Sequence, residues 1–265
     1  EYENAEVIIP SCILIFYSDT FQKHVKLYFS MSIFIEYIVR LLNFIAPKQC
    51  VVCGKRLTIS EDVICAVCNL HMPRTLFSKN PYENKMAKLF WGQIKIEKAA
   101  ALFFYEPHSE MSRIILSLKY FNHPETGELM GRMLAEEIRQ DGFFDGIDLI
   151  IPIPLTKKRQ RERGYNQSME IARGINEITK IKIVGNAVKR KSFKQSQTKM
   201  NRWQRLDNVK DVFSIDKEHD LDGKHILLID DVVTSGSTII SCAQKISAHY
   251  NNIKFSVLSL GFTKN

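Results

Sequence analysis

Short solid runs of apolar residues alternate along the chain with stretches in which apolar residues recur every three or four positions. AALFFYE at residues 100–106, IDLIIPIP at 147–154, the weaker IKIV at 181–184, HILLI at 225–229 and IKFSVLSLGF at 253–262 read as strands. Runs of this length suit strands buried on both faces. Between them, residues 109–121 place Met111, Ile114, Ile115 and Leu118 on one helical face, and 126–140, 166–178 and 237–250 read as further helices, with Ser109 and Thr126 as caps. Pro152 and Pro154 cannot continue a central ladder and mark where the chain leaves the sheet. Strands alternating with helices predict an α/β fold, a mainly parallel twisted sheet covered by helices on both faces.

Upstream the pattern changes. VIIPSCILIFYS at residues 7–18 is apolar for about a dozen positions, short of the roughly 20 that span a bilayer. The chain opens on Glu1, Glu3 and Glu6 rather than on the basic residues of a signal peptide. No transmembrane span is expected. Residues 31–47 carry Ile33, Tyr37, Ile38, Leu41, Leu42 and Ile45 at helical spacing, interrupted by Glu36 and Arg40; a helix packed on the rest of the protein is the expectation, a membrane-surface helix the alternative. The expected organisation is an amino-terminal extension and amphipathic helix (1–43), a compact cysteine module (44–76), a polar connector (77–98) and an α/β domain (99–265).

Composition sharpens two points. The 265 residues are 45% hydrophobic and 25% charged, which is ordinary for a globular chain, and the formal charge of +8 asks for an anionic partner without choosing between metabolite, nucleic acid and membrane. Six cysteines occur; Cys50 and Cys53 form CVVC, and Cys65 and Cys68 form CAVC eleven residues later. That is metal spacing, and four thiolates suit structural zinc, with an iron–sulfur cluster or redox dithiol as alternatives. Paired thiols of this kind survive in a reducing cytoplasm. Cys12 is isolated, and Cys242 falls at helical spacing with Ile239 and Ile246 as a core residue.

The chemistry concentrates at residues 225–239, HILLIDDVVTSGSTI. In an open parallel sheet, ligands bind beyond the carboxyl ends of the strands, which puts Asp230 and Asp231 at a binding mouth. Thr234, Ser235, Gly236, Ser237 and Thr238 then enter a helix, with free N–H groups and hydroxyls placed to hold a phosphate. A ribose 5-phosphate fits both halves. The bland alternative has Asp231 merely ending a strand and Ser235 or Ser237 capping the helix.

A hydrophobic run, two acids and VVTSGST resemble the phosphoribosyl-pyrophosphate signature of type I phosphoribosyltransferases. With residues 118–121 (LKYF), 151–168 (IPIPLTKKRQRERGYNQS), 195–213 (QSQTKMNRWQRLDNVKDVF) and the four-cysteine module, the chain is similar to the competence protein F family, also called the GntX type. The resemblance implies a type I phosphoribosyltransferase fold behind a small zinc module, with phosphoribosyl pyrophosphate bound together with Mg²⁺. It implies that Asp230 and Asp231 take the ribose hydroxyls as the catalytic acids, residues 234–238 the 5-phosphate, and Ile153 and Pro154 the pyrophosphate side. Ser235 departs mildly from the threonine more frequent there, and either supplies a hydroxyl.

Two basic segments flank this site in sequence: Lys157, Lys158, Arg159, Arg161 and Arg163, read as a loop, and the seven cations from Lys189 to Arg205, with Tyr165, Phe193 and Trp203 among or beside them. In an enzymatic reading Lys119, Arg161, Arg163, Asn166, Gln167, Arg202 and Arg205 close over pyrophosphate and a small acceptor. In a binding reading, which the family's association with DNA uptake implies, the groove tracks single-stranded DNA, with a competence helicase or other uptake proteins as partners. A third reading is a sensor of phosphoribosyl pyrophosphate without catalysis. No acceptor-specific hood and no ammonia-producing domain is recognisable.

Overall fold

The computed structural model describes residues 48–120, 123–191, 212–216 and 218–264. The amphipathic stretch 31–47, Cys12, Phe193, Arg202, Trp203 and Arg205 lie outside the described residues. The chain divides into Glu1–Lys48 and Gln49–Asn265, and every described helix and strand falls in the second unit.

In chain order it contains α1 (Ala66–Leu70), α2 (Lys85–Lys88), β1 (Ile96–Tyr105), α3 (Ser112–Tyr120), α4 (Pro124–Ile138), β2 (Leu149–Pro152), α5 (Lys157–Arg163), α6 (Gln167–Thr179), β3 (Lys182–Ile183), β4 (Val188–Arg190), β5 (Phe213–Ile215), β6 (His225–Val233), α7 (Ser237–Ser247) and β7 (Lys254–Thr263). Five strands pair in the order β1-β7-β6-β2-β3, every neighbouring pair parallel. β4 and β5 form a separate antiparallel pair.

The solid apolar runs are explained by burial on both faces. Along β6, Leu227 and Ile229 join one core with α3, α4 and α6, while Ile226 and Leu228 join the other with α7. Successive side chains point to opposite faces, so an interior strand must be apolar at every position. Pro152 sits within β2, opposite Ile229. Ile153 donates its N–H to Ile229 O at 2.9 Å, so the preceding proline turns its ring nitrogen toward the other edge, where pairing with β3 has ended after Ile150.

β1 is an edge strand, and residues 73–84 cover its outer side. Phe104 N–H donates to Pro73 O (2.8 Å), Ala99 N–H to Pro81 O (2.8 Å), and Asn84 Nδ2 to Ala99 O (2.8 Å). The stretch that reads as a polar connector thus satisfies an otherwise open ladder, and it buries Met86, Ala87 and Phe90 in the core beside α7.

Two local expectations are corrected. The basic run 157–163 is a helix rather than a loop, capped by Thr156, whose Oγ accepts from Arg159 N–H, and closed by Gly164 at φ 79°; with no apolar residue in it, hydrophobic periodicity had nothing to register. Thr126 is buried inside α4 rather than capping it, because Pro124 starts the helix two residues earlier, where a proline costs no hydrogen bond. Ser109 Oγ does accept from Ser112 N–H, at 3.3 Å.

α4 and α6 approach closely enough that a Cβ on Gly174 would lie 1.9 Å from Glu128 O, and one on Gly131 2.2 Å from Ile171 O. Gly174→Ala should therefore lower unfolding free energy by about 2–3 kcal/mol, since neither helix backbone can yield cheaply; urea denaturation measures it, and an unchanged midpoint would contradict the packing.

Candidate functional site

The connections leaving β6 and β2 diverge. After β6 the chain passes through α7 on one face to β7; after β2 it passes through α6 on the other face to β3. A crevice opens beyond the carboxyl ends of two such strands. Asp230 and Asp231 end the unbroken apolar run of β6 there, across from Ile153 and Pro154.

The two carboxylates have different surroundings. Asp231 is 9% exposed and its Oδ2 lies 3.0 Å from Lys119 Nζ, at the carboxyl end of α3. Asp230 accepts from Ser168 Oγ at 3.3 Å, in the first turn of α6, and from Asp231 N–H at 2.9 Å. Burial, and then the Asp231 charge, push its carboxyl up to about 7, against the pull of the Asp231 N–H, Lys119 and Ser168. Arg190, half-buried on β4 with its guanidinium over the Phe213 ring, also feels Asp230. Burial, then Arg159, depresses the Arg190 pKa while Asp230 opposes them. On the other side Cys242 of α7 is fully buried and its thiol is pushed up to about 12, first by burial and then by Asp230.

The following loop is built for close approach. Gly236 has φ 72°, and a Cβ there would stand 3.0 Å from the ring of Phe90; both facts select glycine. Thr234, Ser235 and Ser237 are exposed, Thr238 is partly so, and Ser235 Oγ donates to Ser237 Oγ at 3.1 Å. The opening turn of α7 therefore presents hydroxyls and helix-start N–H groups to one side of the carboxylate pair.

On the other side, Asn166 Nδ2 holds Ile153 O at 3.1 Å and its Oδ1 caps α6. Gln167, 1% exposed, donates to Leu118 O (3.0 Å) and accepts from Arg163 (2.8 Å), while Tyr165 Oη donates to the same Leu118 O (2.7 Å). Asn166 and Gln167 thus act as struts. Lys119, Arg161 and Arg163 line a cavity of about 740 Å³ with Tyr120, Arg159, Glu162 and Gly164. Ser168 and Arg190 were not singled out in the sequence: Ser168 closes the GYNQS motif at a helix start, and Arg190 is one cation among seven, identifiable only once β4 brings it within electrostatic range of Asp230.

The four cysteines form the second cluster. All their sulfurs lie within 4.8 Å of one another, and Cys53 and Cys65 are 3.8 Å apart. A zinc–sulfur bond of about 2.3 Å in a tetrahedron requires sulfurs roughly 3.8 Å apart, so the donor set fits. Gly54 N–H closes the first knuckle on Cys50 O (2.8 Å), and the second pair straddles the start of α1. Burial raises the Cys50 thiol, but the N–H groups of Cys53, Cys65 and Val52 bring it down to about 7. Val52, Leu57, Val63 and Ile64 share a core with Leu102, Phe103 and Ile114, and Arg113 Nη1 reaches Val52 O at 2.7 Å.

This parallel sheet, with its acid pair at the divergence point and a hydroxyl-rich loop entering a helix, defines a protein of the type I phosphoribosyltransferase fold. Residues 119–259 match the Phosphoribosyl transferase domain family, and the chain belongs to it, in the competence protein F type. DNA utilization protein YhgH of Escherichia coli K12 is 27% identical over 205 residues, covering 74% of this chain and 82% of that one. Competence protein F of Haemophilus influenzae is 25% identical over 210 residues, 75% and 90% of the two chains. Competence protein ComFC of Bacillus subtilis is 29% identical over 91 residues, 34% and 35%. Among the described residues no helix is long and apolar enough to cross a membrane.

The raised Asp230 pKa has a stability consequence. Unfolded, the carboxyl ionises near 3.9, whereas folded it holds its proton to about 7; stability is therefore lost as pH rises from about 4 to about 7 and is level above. Asp230→Asn should flatten that decline and melt roughly 3–6 °C above the wild type at pH 8. Parallel melting curves for the two proteins from pH 5 to 8 would contradict it.

Proposed function

We propose that the site binds 5-phosphoribosyl 1-pyrophosphate together with Mg²⁺ and supports transfer of its phosphoribosyl group. The observation carrying this reading is the Asp230–Asp231 pair, with Lys119 as its one cation within ion-pair distance among the described residues, facing the loop Thr234–Thr238. The carboxylates accept hydrogen bonds from the two ribose hydroxyls. Hydroxyls and N–H groups of the loop hold the 5-phosphate, and Lys119 and Arg190 receive the pyrophosphate side, while Arg159, Arg161 and Arg163 line the cavity on the acceptor side. Bound magnesium supplies charge neutralisation of pyrophosphate. The chain contributes position and electrostatics: the ribose is fixed while positive charge builds at its anomeric carbon, and the carboxylates stabilise that charge. No protein nucleophile is needed.

The cysteine cluster, in the same reading, holds a structural zinc. Four thiolates leave no open coordination position, so its work is to lock a loop too short to fold alone.

A second reading is favoured by the all-polar helix α5 and by the printed names of relatives concerned with DNA utilization and competence. Here the same basic face holds single-stranded DNA. The two uses are compatible, since the carboxylate pair repels phosphodiesters and the arginines attract them.

Titration calorimetry with phosphoribosyl pyrophosphate is expected to give Mg²⁺-dependent binding that Asp230→Asn and Asp231→Asn each weaken roughly 10- to 100-fold; binding indifferent to both substitutions would overturn the first reading. Metal analysis should return one zinc per chain, lost in Cys65→Ser with a lowered melting temperature. For the second reading, affinity for an oligodeoxynucleotide should fall steeply with salt, by about 0.7 log units per tenfold salt for each phosphate contacted, and salt-insensitive binding would contradict it.

A further inference from the structure

The cavity beside the carboxylates is more cationic than pyrophosphate requires. Its wall carries Lys119, Arg159, Arg161 and Arg163 against one acid, Glu162, and that acid is turned to Lys158 at 3.9 Å. Lys119 is committed to Asp231. The three arginines have no carboxylate within ion-pair distance among the described residues: Arg161 Nε donates to Lys157 O and Arg163 Nη1 to Gln167 Oε1, both neutral. Arg159 is close enough to Arg190 to depress that guanidinium's pKa. Like charges gathered without counter-charges are held at a cost that a bound anion removes.

Size and shape argue the same way. At about 740 Å³ the cavity is within the range of whole small-molecule sites and leaves room beside a pyrophosphate. One lip is Tyr120, 70% exposed, an aromatic face with solvent over it. The walls do not collapse, because Leu118 O, at the base of the α3 end, is held twice, by Tyr165 Oη and Gln167 Nε2. Arg163 is braced through Gln167 to the same oxygen.

We propose that this cavity takes a second, anionic ligand of the nucleoside-phosphate class, its phosphate among Arg159, Arg161 and Arg163 and its base against Tyr120, so that the partner of the phosphoribosyl site is itself phosphorylated. Guanidinium groups grip phosphate oxygens in pairs, and an aromatic face accepts any base. This rests on the phosphoribosyl-pyrophosphate reading above, deepening it by naming the class of the other ligand. A mononucleotide and the 5′-phosphorylated end of a strand share this chemistry.

The test uses the full chain, saturated with phosphoribosyl pyrophosphate and Mg²⁺, titrated in a calorimeter with thymidine 5′-monophosphate, thymidine and thymine. The monophosphate should bind at least about tenfold more tightly than thymidine, with the ratio falling toward one in Arg161→Glu and Arg163→Glu. Tyr120→Ala should weaken monophosphate and nucleoside alike. A 5′-phosphorylated dithymidylate binding more tightly than the monophosphate assigns the cavity to a strand end, and the reverse assigns it to a free nucleotide. Equal affinity for thymidine and its monophosphate, or mutual exclusion of the monophosphate and phosphoribosyl pyrophosphate, overturns the inference. If phosphoribosyl pyrophosphate itself fails to bind, the proposed function has failed, and the same monophosphate-to-nucleoside ratio on the unloaded protein decides the inference by itself.

Discussion

Two adjacent carboxylates at the end of a buried strand are the constraint around which the rest is arranged. One lysine reaches one of them, at 3.0 Å; the other is left to a serine hydroxyl and a backbone N–H, and the balance shows in an acid that keeps its proton to about 7. A fold does not need such a pair to stand. Its placement where the connections of β6 and β2 part to opposite faces gives it a reason, because that is where a ligand with donors of its own can enter and complete it.

The surrounding elements follow from holding that mouth open. Residues 163–168 act as one brace, with Asn166 fixing Ile153 O on one side and Gln167 and Tyr165 fixing Leu118 O on the other. Beneath the phosphate-side loop, Phe90 occupies the space that Gly236 leaves. The cysteine knuckles join the core of the face carrying α3, α4 and α6, and Arg74 ties the stretch after them to Glu137 of α4 at 2.8 Å. What reads as a separate accessory in composition is continuous with the sheet's packing.

The legible parts of the sequence were those with one cause. Solid apolar runs mean strands buried twice, so the five-stranded sheet could be read almost strand for strand; the position of the acid pair near the carboxyl end of β6, and of Thr234–Thr238 at the entry to α7, followed from the apolar run before them and the helical periodicity after them. The parts that escaped have causes distant in sequence. Helix α5 has no apolar face to betray it. Met86 and Phe90 lie in a stretch whose polar residues dominate the pattern, and their burial depends on α7, about 150 residues later. Ser168 and Arg190 gain meaning only from Asp230, which tertiary structure alone brings to them. Arg202 and Arg205 lie outside the described residues.

The central claim is that a ligand's hydroxyls complete the Asp230–Asp231 pair. Donors arriving at a carboxylate favour its charged form, so binding must expel the proton that Asp230 otherwise retains. Calorimetry of phosphoribosyl pyrophosphate with Mg²⁺ in two buffers of different ionisation enthalpy counts that proton. The account predicts release of up to about one proton near pH 6, in excess of that from the ligand and metal alone, vanishing above about pH 8 and absent in Asp230→Asn. The same proton count at both pH values, or one unchanged by the substitution, would contradict it.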